Sequence, residues 1–252
     1  MIFANSFEKV KDSRFEGKLF NGSMYARTNY LGADTSHRDT PQALLVEQSA
    51  RSEIPAHFHG IDQYQVVVKG GGHLGKHAVG PICVHYAAAY TGYGPLNADQ
   101  DGLFYFTLRA QSEPGAFFFP EGRKHQKAAK RRNLTKDLKI DYQQEQSLEI
   151  IFPHEEEGLG AWSLRLDPGE KFEGPDPLLG GGQYYLVLDG GLDHGGSNYS
   201  KWSCIFVEPP EKSVEISAGS EGLWALILQF PFWEKGTELS KDAPLYAEDR
   251  IA

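Results

Sequence analysis

The stretch Pro55-Ala-His57-Phe-His59-Gly-Ile-Asp-Gln63-Tyr-Gln-Val-Val-Val-Lys-Gly70 decides how the rest of the chain is interpreted. Its second half is a β-branched run that ends in a row of glycines, a pattern that predicts a short core strand followed by a turn. Its first half places His57 and His59 two residues apart. Because side chains of an extended segment alternate between two faces, we expect both imidazoles to leave the same face.

Two other side chains complete a candidate metal site. Gln63 can contribute an oxygen from the adjoining strand, and a turn at Pro120 and Gly122 can deliver a third imidazole from His125. A shell of three histidines and one glutamine is neutral and mostly nitrogen, which suits a divalent transition metal. The sequence therefore predicts one metal ion with these ligands: His57, His59, Gln63 and His125.

These residues resemble the motifs of the cupin superfamily. The first motif is HxH, three or four residues, Glu, six residues and Gly, and the second contains PxGxxH. The matching residues are His57, His59, Gln63, Gly70, Pro120, Gly122 and His125. Gln63 stands where the family has Glu, and a neutral amide cannot serve as a carboxylate base. The resemblance implies jelly-roll barrels, also called double-stranded β-helices, with iron, manganese, nickel or zinc in the site and small organic substrates.

The strand pattern occurs a second time along the chain. Gln183 to Gly190 aligns with Gln63 to Gly70 at an offset of 120 residues, sharing the glutamine, a tyrosine, the central valine and the glycine, which indicates an internal duplication. At the same offset the two histidine positions become Pro177 and Leu179. Separately, Pro209 to Val214 can be aligned with Pro120 to His125, and Val214 then replaces the last histidine. The second copy has lost its imidazoles, so we expect it to bind no metal.

The predicted fold class is all-β, with two tandem cupin barrels packed together. An N-terminal arm is expected over residues 1–40, a metal-binding barrel over 41–145, and a degenerate, metal-free barrel with a C-terminal tail over 146–252. The arm and the exposed strand edges predict a homodimer.

Composition narrows the partners and the compartment. The net charge of −9 argues against general affinity for nucleic acid or anionic membranes. No apolar run approaches the roughly 20 residues that a spanning helix needs, and the start of the chain lacks the pattern of a secretory signal. Cys83 and Cys204 lie far apart in apolar contexts, which favours two buried free thiols in a reducing cytoplasm over a disulfide.

The segment Pro81-Ile-Cys-Val-His85-Tyr86 is the second informative stretch. If it is a strand, Cys83 and His85 share one face and Tyr86 lies on the other. His85 or Tyr86 is then the candidate proton-transfer group, and a surface or core-packing histidine is the alternative for His85. Arg109 could meet a substrate carboxylate or an exposed glutamate, and the sequence favours the glutamate.

Two functions remain open on the sequence alone. The first is a metal-dependent enzyme, a dioxygenase or an isomerase, that acts on a small hydroxylated or keto compound. The second is a non-catalytic bicupin that binds a small ligand and keeps a structural or vestigial metal. An open metal position beside a cavity would favour the enzyme, and a closed shell would favour the binding protein.

Overall fold

The computed structural model describes residues 1–33, 39–138 and 148–233. These residues are mostly β-strands joined by short turns. The strands in chain order are β1 Ile2–Asn5, β2 Phe15–Lys18, β3 Met24–Leu31, β4 Gln42–Gln48, β5 Glu53–Ile54, β6 His57–Phe58, β7 Gln63–Leu74, β8 His77–Val79, β9 Cys83–Ala87, β10 Leu96–Arg109, β11 Phe117–Phe118, β12 Asn133–Asp137, β13 Leu148–Phe152, β14 Gly160–Leu166, β15 Lys171–Glu173, β16 Gln183–His194, β17 Ser197–Ser200, β18 Cys204–Val207 and β19 Glu215–Gln229.

The helical structure seen in the described part of the chain consists of short pieces: α1 Phe7–Val10 and the 3₁₀ turns Lys11–Ser13, Glu121–His125 and Pro177–Leu179. Within the described ranges, none of these helices is long and apolar enough to cross a membrane.

Two compact units divide the described residues. The first unit contains residues 13–33 and 39–138, and the second contains residues 1–12 and 148–233. In the first unit a nine-stranded sheet has the order β12-β9-β7-β10-β4-β3-β2, with β5 on β10 and β8 on β7, and β11 pairs with β6 separately. In the second unit an eight-stranded sheet has the order β1-β18-β16-β19-β14-β13, with β15 on β19 and β17 on β16.

The predicted arm of residues 1–40 is divided between the two units. β1 pairs with β18 in the second unit, from Ile2 opposite Val207 to Asn5 opposite Cys204. β2 and β3 extend the sheet of the first unit beside β4. The reason is hydrogen bonding, since an extended segment satisfies its backbone groups by joining a sheet edge. Residues 34–38, the predicted boundary at 145 and most of the predicted tail, residues 234–252, lie outside the described residues.

The internal repeat is visible in the strands. β7 and β16 are both twelve residues long and begin with Gln63 and Gln183, 120 residues apart. The prediction of a short strand that ends in a turn at Gly70 is wrong, because the glycines stay paired with β10 and β7 continues to Leu74. Gly70 and Gly190 have φ values of 76° and 68°, and a Cβ on either would collide with the carbonyl oxygen of the strand beside it. A left-handed backbone in such close contact requires glycine, which explains why both copies of the pattern keep it.

Each unit has its own apolar core. In the first unit buried side chains such as Val67, Leu96 and Leu103 pack together, and Cys83 lies among them. In the second unit the core includes Leu164, Tyr185, Ile205 and Ile227. Both cysteines are buried and free.

Candidate active site in the first unit

A cavity of about 520 Å³ opens among the strands of the first unit. Most of its wall is apolar, with Leu44, Ile54, Tyr105 and Phe118 among the lining residues. Its polar lining includes one connected cluster and further charged residues such as Arg27 and Lys124. The members of the cluster are His57, His59, Gln63, Tyr93 and Arg109. A largely apolar cavity with a small polar cluster is the usual form of a small-molecule site.

His57 and His59 lie side by side in the cavity wall, with ring centroids 5.3 Å apart. β6 carries His57, and its pairing with β11 places Phe118 opposite. His57 Nδ1 lies 2.7 Å from the carbonyl oxygen of Pro55, and His59 Nδ1 lies 2.6 Å from the Glu113 carboxylate. In both rings Nδ1 therefore carries the proton, and Nε2 keeps its lone pair.

Burial keeps both imidazoles neutral at pH 7. It lowers the pKa of His57 from 6.5 to about 3. It also lowers the pKa of His59 well below the usual value, helped by the positive charge of Arg109. A neutral imidazole with a free Nε2 lone pair can accept a hydrogen bond or bind a metal ion.

Arg109, the last residue of β10, lies inside this cluster and is 3% exposed. Its Nη1 donates to Gln42 Oε1 at 2.6 Å, while Nε and Nη2 donate to Gln63 Oε1 at 3.2 and 3.0 Å. Nη2 also lies 3.0 Å from His59 Nε2. The sequence favoured an exposed glutamate as its partner, which is wrong because β10 ends at the cavity and its register places Arg109 opposite Gln42.

Glu113 supplies the negative charge of the cluster. Its side chain is fully buried, and its two oxygens accept from His59 Nδ1 and from the backbone N–H of Gly60, the latter at 2.7 Å. Arg109 and Glu113 thus contact the same imidazole, and Arg109 Nη2 lies 3.1 Å from Nδ1 as well as 3.0 Å from Nε2. Glu113 was not among the residues predicted from the sequence, although its position just beyond the end of β10 is a signal that points to the site.

Tyr93 belongs to a tyrosine-rich loop and lines the cavity, although it was not among the site residues predicted from the sequence. Its backbone forms a two-way bridge with His57, and its hydroxyl lies 2.7 Å from His57 Nε2 and accepts a short bond from Gln63 Nε2. Tyr90, three residues earlier, has a φ of 59°, a conformation that favours glycine. Tyr90 and Tyr93 are three residues apart, as are Gly122 and His125.

The structure does not bring His125 to the other predicted metal ligands. Pro120 and Gly122 begin a 3₁₀ turn, Glu121–His125, instead of a hairpin directed inward. The His125 ring lies on the cavity wall against Phe117, with centroids 5.1 Å apart. Across residues 1–33, 39–138 and 148–233, His57, His59 and His125 do not form a group whose ligand atoms all lie within 4.8 Å of one another.

His85 and Tyr86 lie on opposite faces of β9, and neither lines the cavity. His85 is buried, with Nδ1 2.9 Å from Thr135 Oγ1 and its ring centroid 5.5 Å from that of Tyr93. Its Nε2 has no hydrogen-bond partner among the residues that the structure describes. Tyr86 donates to Asp62 at 3.0 Å. The predicted proton-transfer role of these two residues therefore has no direct access to the cavity.

In the second unit, two uncharged residues occupy the positions equivalent to Gln63 and Arg109. Gln183 and Gln229 lie opposite each other in β16 and β19, 120 residues beyond Gln63 and Arg109, and Gln183 Nε2 donates to Gln229 Oε1 at 2.7 Å. An amide thus replaces the guanidinium. The positions equivalent to the two histidines belong to the 3₁₀ turn Pro177–Leu179.

Replacing Tyr93 with phenylalanine is expected to lower the free energy of unfolding by about 1–3 kcal/mol, because Gln63 Nε2 and His57 Nε2 would both lose a buried partner. Equilibrium unfolding in urea measures this change. Tyr105→Phe is the matched control, since Tyr105 lines the same cavity and no hydrogen bond of its hydroxyl is seen among the described residues. Equal effects of the two substitutions would contradict the bridging role of Tyr93.

No protein-family profile matches the sequence, and no curated protein is similar to it in sequence. Solved structures are nevertheless similar. One is described as "a putative dioxygenase" from Nostoc punctiforme, with 16% identity and a TM-score of 0.65 over 97% of this chain and 87% of that one. Another is the bacterial pirin YhhW from Escherichia coli in complex with nickel(II), with 12% identity and a TM-score of 0.61 over 92% and 100%.

A third similar structure is a mutant of Bacillus subtilis oxalate decarboxylase, with 11% identity and a TM-score of 0.56 over 92% of this chain and 78% of that one. Identities of 11–16% show a shared fold and leave the chemistry open. The all-β fold class predicted from the sequence is confirmed.

Proposed function

We propose that the first unit binds one divalent transition metal ion through His57 and His59. The cupin fold of the chain supports this proposal. The metal would act on a small organic compound held in the cavity. The observation that supports this most strongly is the fixed orientation of the two imidazoles. Each ring is held through Nδ1 by Pro55 or Glu113, which leaves Nε2 as the ligand atom.

The donor set fits a metal ion in three respects. Both imidazoles are neutral, as metal ligands must be. His59 is oriented by a buried carboxylate, the usual outer partner of a metal-bound histidine. The amide oxygen of Gln63 lies beside them and would be a third ligand. We propose Tyr93, in place of the predicted His125, as the residue beside the open coordination position, because its hydroxyl contacts His57 and Gln63.

A bound metal would supply a Lewis acid that polarises a substrate oxygen. The apolar wall around Leu44 and Tyr105 would bind the carbon skeleton of the substrate and exclude water. Burial raises the pKa of Tyr93, so its hydroxyl stays protonated and can donate to a substrate oxygen. The guanidinium of Arg109 would hold a negative group in the cavity once it is released from His59 and Gln63.

For the reaction we propose a dioxygenase, with isomerisation as the alternative, on a small hydroxylated or keto compound. The similarity to the Nostoc punctiforme protein supports the first of these. The nickel(II) in the pirin structure supports a divalent transition metal, and an imidazole-rich shell accepts iron, nickel or zinc alike.

A second function, binding of a small molecule without catalysis, is favoured by the position of Arg109. Its guanidinium contacts the same imidazole and the same amide oxygen that a metal would use. With Glu113 buried beside it, the cluster already holds one positive and one negative charge. In this case the cavity would bind its ligand with Arg109 as the cation.

Metal analysis after anaerobic reconstitution of the metal-free protein with Fe(II), Mn(II), Ni(II) or Zn(II) tests the proposal. The double variant His57→Ala/His59→Ala is expected to bind one equivalent of metal less than the wild type. His154→Ala/His194→Ala, which removes two histidines with exposed hydrogen bonds from the second unit, is the matched control and should bind as much as the wild type. Full metal content in the His57/His59 double variant would refute metal binding at this site.

A further inference from the structure

A second cluster of metal-ligand side chains lies in the first unit, outside the cavity. It consists of His77, Cys83 and Asp137, whose ligand atoms all lie within 4.8 Å of one another. His77 Nε2 lies 3.0 Å from Asp137 Oδ2. It is the one group of three or more histidine, cysteine or acidic side chains that lie this close among the residues the structure describes.

The backbone holds these three residues together from distant parts of the sequence. His77 begins β8, Cys83 begins β9 and Asp137 ends β12. Cys83 and Asp137 are directly opposite each other in the antiparallel pair of β9 and β12. The N–H of Leu138 then donates to the carbonyl oxygen of Ile82 at 2.8 Å, which fixes the end of β12 beside Cys83. The cluster therefore depends on strand register as well as on flexible side chains.

We propose that His77, Cys83 and Asp137 form a site for a zinc-like divalent metal ion at the edge of the sheet. Thiolate, imidazole and carboxylate are the ligand types that zinc accepts, and three protein ligands leave a fourth position for water. Zinc–ligand distances of about 2.0–2.3 Å place tetrahedral donor atoms about 3.4–3.6 Å apart, so the group is already close to the required size. His77 and Asp137 have exposed fractions of 45% and 54% and can make the remaining adjustment.

Cys83 is the buried ligand of this site, and its sulfur favours zinc-like ions over Mg²⁺ and Ca²⁺. It is 1% exposed, and its sulfur lies against the Asp137 carboxylate. Burial and Asp137 both raise the pKa of the thiol, so the metal-free cysteine keeps its proton at pH 7. A metal ion binds the thiolate, so the bound ion would take the place of the thiol proton.

A metal ion at this site would cross-link neighbouring strands. Among the strands that the structure describes, β12 lies at the edge of the nine-stranded sheet and pairs only with β9, and β8 pairs only with β7. One metal ion with ligands on β8, β9 and β12 would cross-link all three strands. Because a metal that binds the folded state stabilises it, metal should raise the unfolding temperature of the protein.

Titration of the full-length, metal-free His57→Ala/His59→Ala variant with Co(II) tests the proposal without interference from the cavity. A thiolate-to-cobalt charge-transfer band in the near ultraviolet should appear and saturate at one equivalent, and Zn(II) should abolish it. Cys83→Ser in the same background should lose the band, whereas Cys204→Ala, which removes the buried cysteine of the second unit, should keep it.

His77→Gln changes an exposed side chain and keeps the proposal testable if Cys83→Ser does not fold. It should weaken Co(II) binding by about 10–100-fold or more, since even the outer partners of metal ligands are worth that much. Absence of the charge-transfer band in the starting variant, or its persistence in Cys83→Ser, would overturn the proposal. Unchanged affinity in His77→Gln would also overturn it.

Discussion

Replacing Arg109 with methionine is expected to lower the free energy of unfolding by about 3–5 kcal/mol and to tighten binding of divalent metal at least about tenfold. Stability falls because the buried Glu113 carboxylate loses its neighbouring cation and two amide oxygens lose their donors. Metal affinity rises because the substitution removes a positive charge 3.0 Å from both His59 Nε2 and Gln63 Oε1. Urea unfolding and calorimetric metal titration measure the two effects.

Two controls separate charge from packing in this experiment. Arg109→Lys keeps the positive charge, so metal affinity should stay near that of the wild type. Gln229→Met removes the equivalent side chain of the second unit, where it pairs with Gln183. It should cost only the roughly 1–3 kcal/mol of a buried neutral hydrogen bond and leave metal affinity unchanged. Unchanged or weaker metal binding in Arg109→Met would show that the guanidinium does not compete with a metal.

Replacing Glu113 with alanine should have a comparable effect on stability, a loss of about 3–5 kcal/mol. The substitution removes the negative charge of Glu113 from the vicinity of the buried Arg109 guanidinium, and it removes the carboxylate that accepts from His59 Nδ1 and from the Gly60 N–H. Since Glu113 also orients His59, metal affinity should fall by about 10–100-fold. Urea unfolding and metal titration of the same variant measure both consequences.

Glu113→Gln is the matched control, because the amide keeps the size of the side chain and one acceptor oxygen but not the charge. It should lose less stability than the alanine variant. If Glu113→Ala bound metal as tightly as the wild type, the orienting role assigned to this carboxylate would be contradicted.

Local patterns of the sequence predicted the parts of the structure that depend on local geometry. The alternation of His57 and His59 placed both rings on the cavity wall, and the repeat at an offset of 120 residues predicted β7 and β16 with their shared glycine. The same offset also relates Arg109 to Gln229. This equivalence is not apparent from the sequence, because arginine and glutamine are different residue types and give no sign of a repeat at these positions.

The residues that were missed or misplaced depend on contacts between distant segments. Arg109 and Glu113 are charged and would be expected at the surface. They are buried beside His59 because β10 pairs with β4 and β7 and ends at the cavity. Tyr93 lies beside His57 because its loop forms a two-way backbone bridge with that residue, and Tyr90 in the same loop has a left-handed backbone although it is not a glycine. His125 follows a Pro-x-Gly sequence that forms a 3₁₀ turn, and a short motif does not distinguish this turn from a hairpin.

Strand partners at the start of the chain illustrate the same limit. β1 joins β18, about 200 residues away in the sequence, while β3 joins the neighbouring β4 and β2 joins β3. Each of these segments is extended and partly apolar, so their patterns look alike. Which edge each segment completes is decided by tertiary packing, which no local pattern records.

The most direct measurement of the central claim is anomalous diffraction from crystals of the metal-loaded protein, collected at the absorption edge of the metal. We expect a peak within bonding distance of the Nε2 atoms of His57 and His59, with the Arg109 guanidinium moved away from His59 and Gln63. A cavity without a peak, in which Arg109 still contacts both residues, would contradict metal binding at this site and leave Arg109 as its cation.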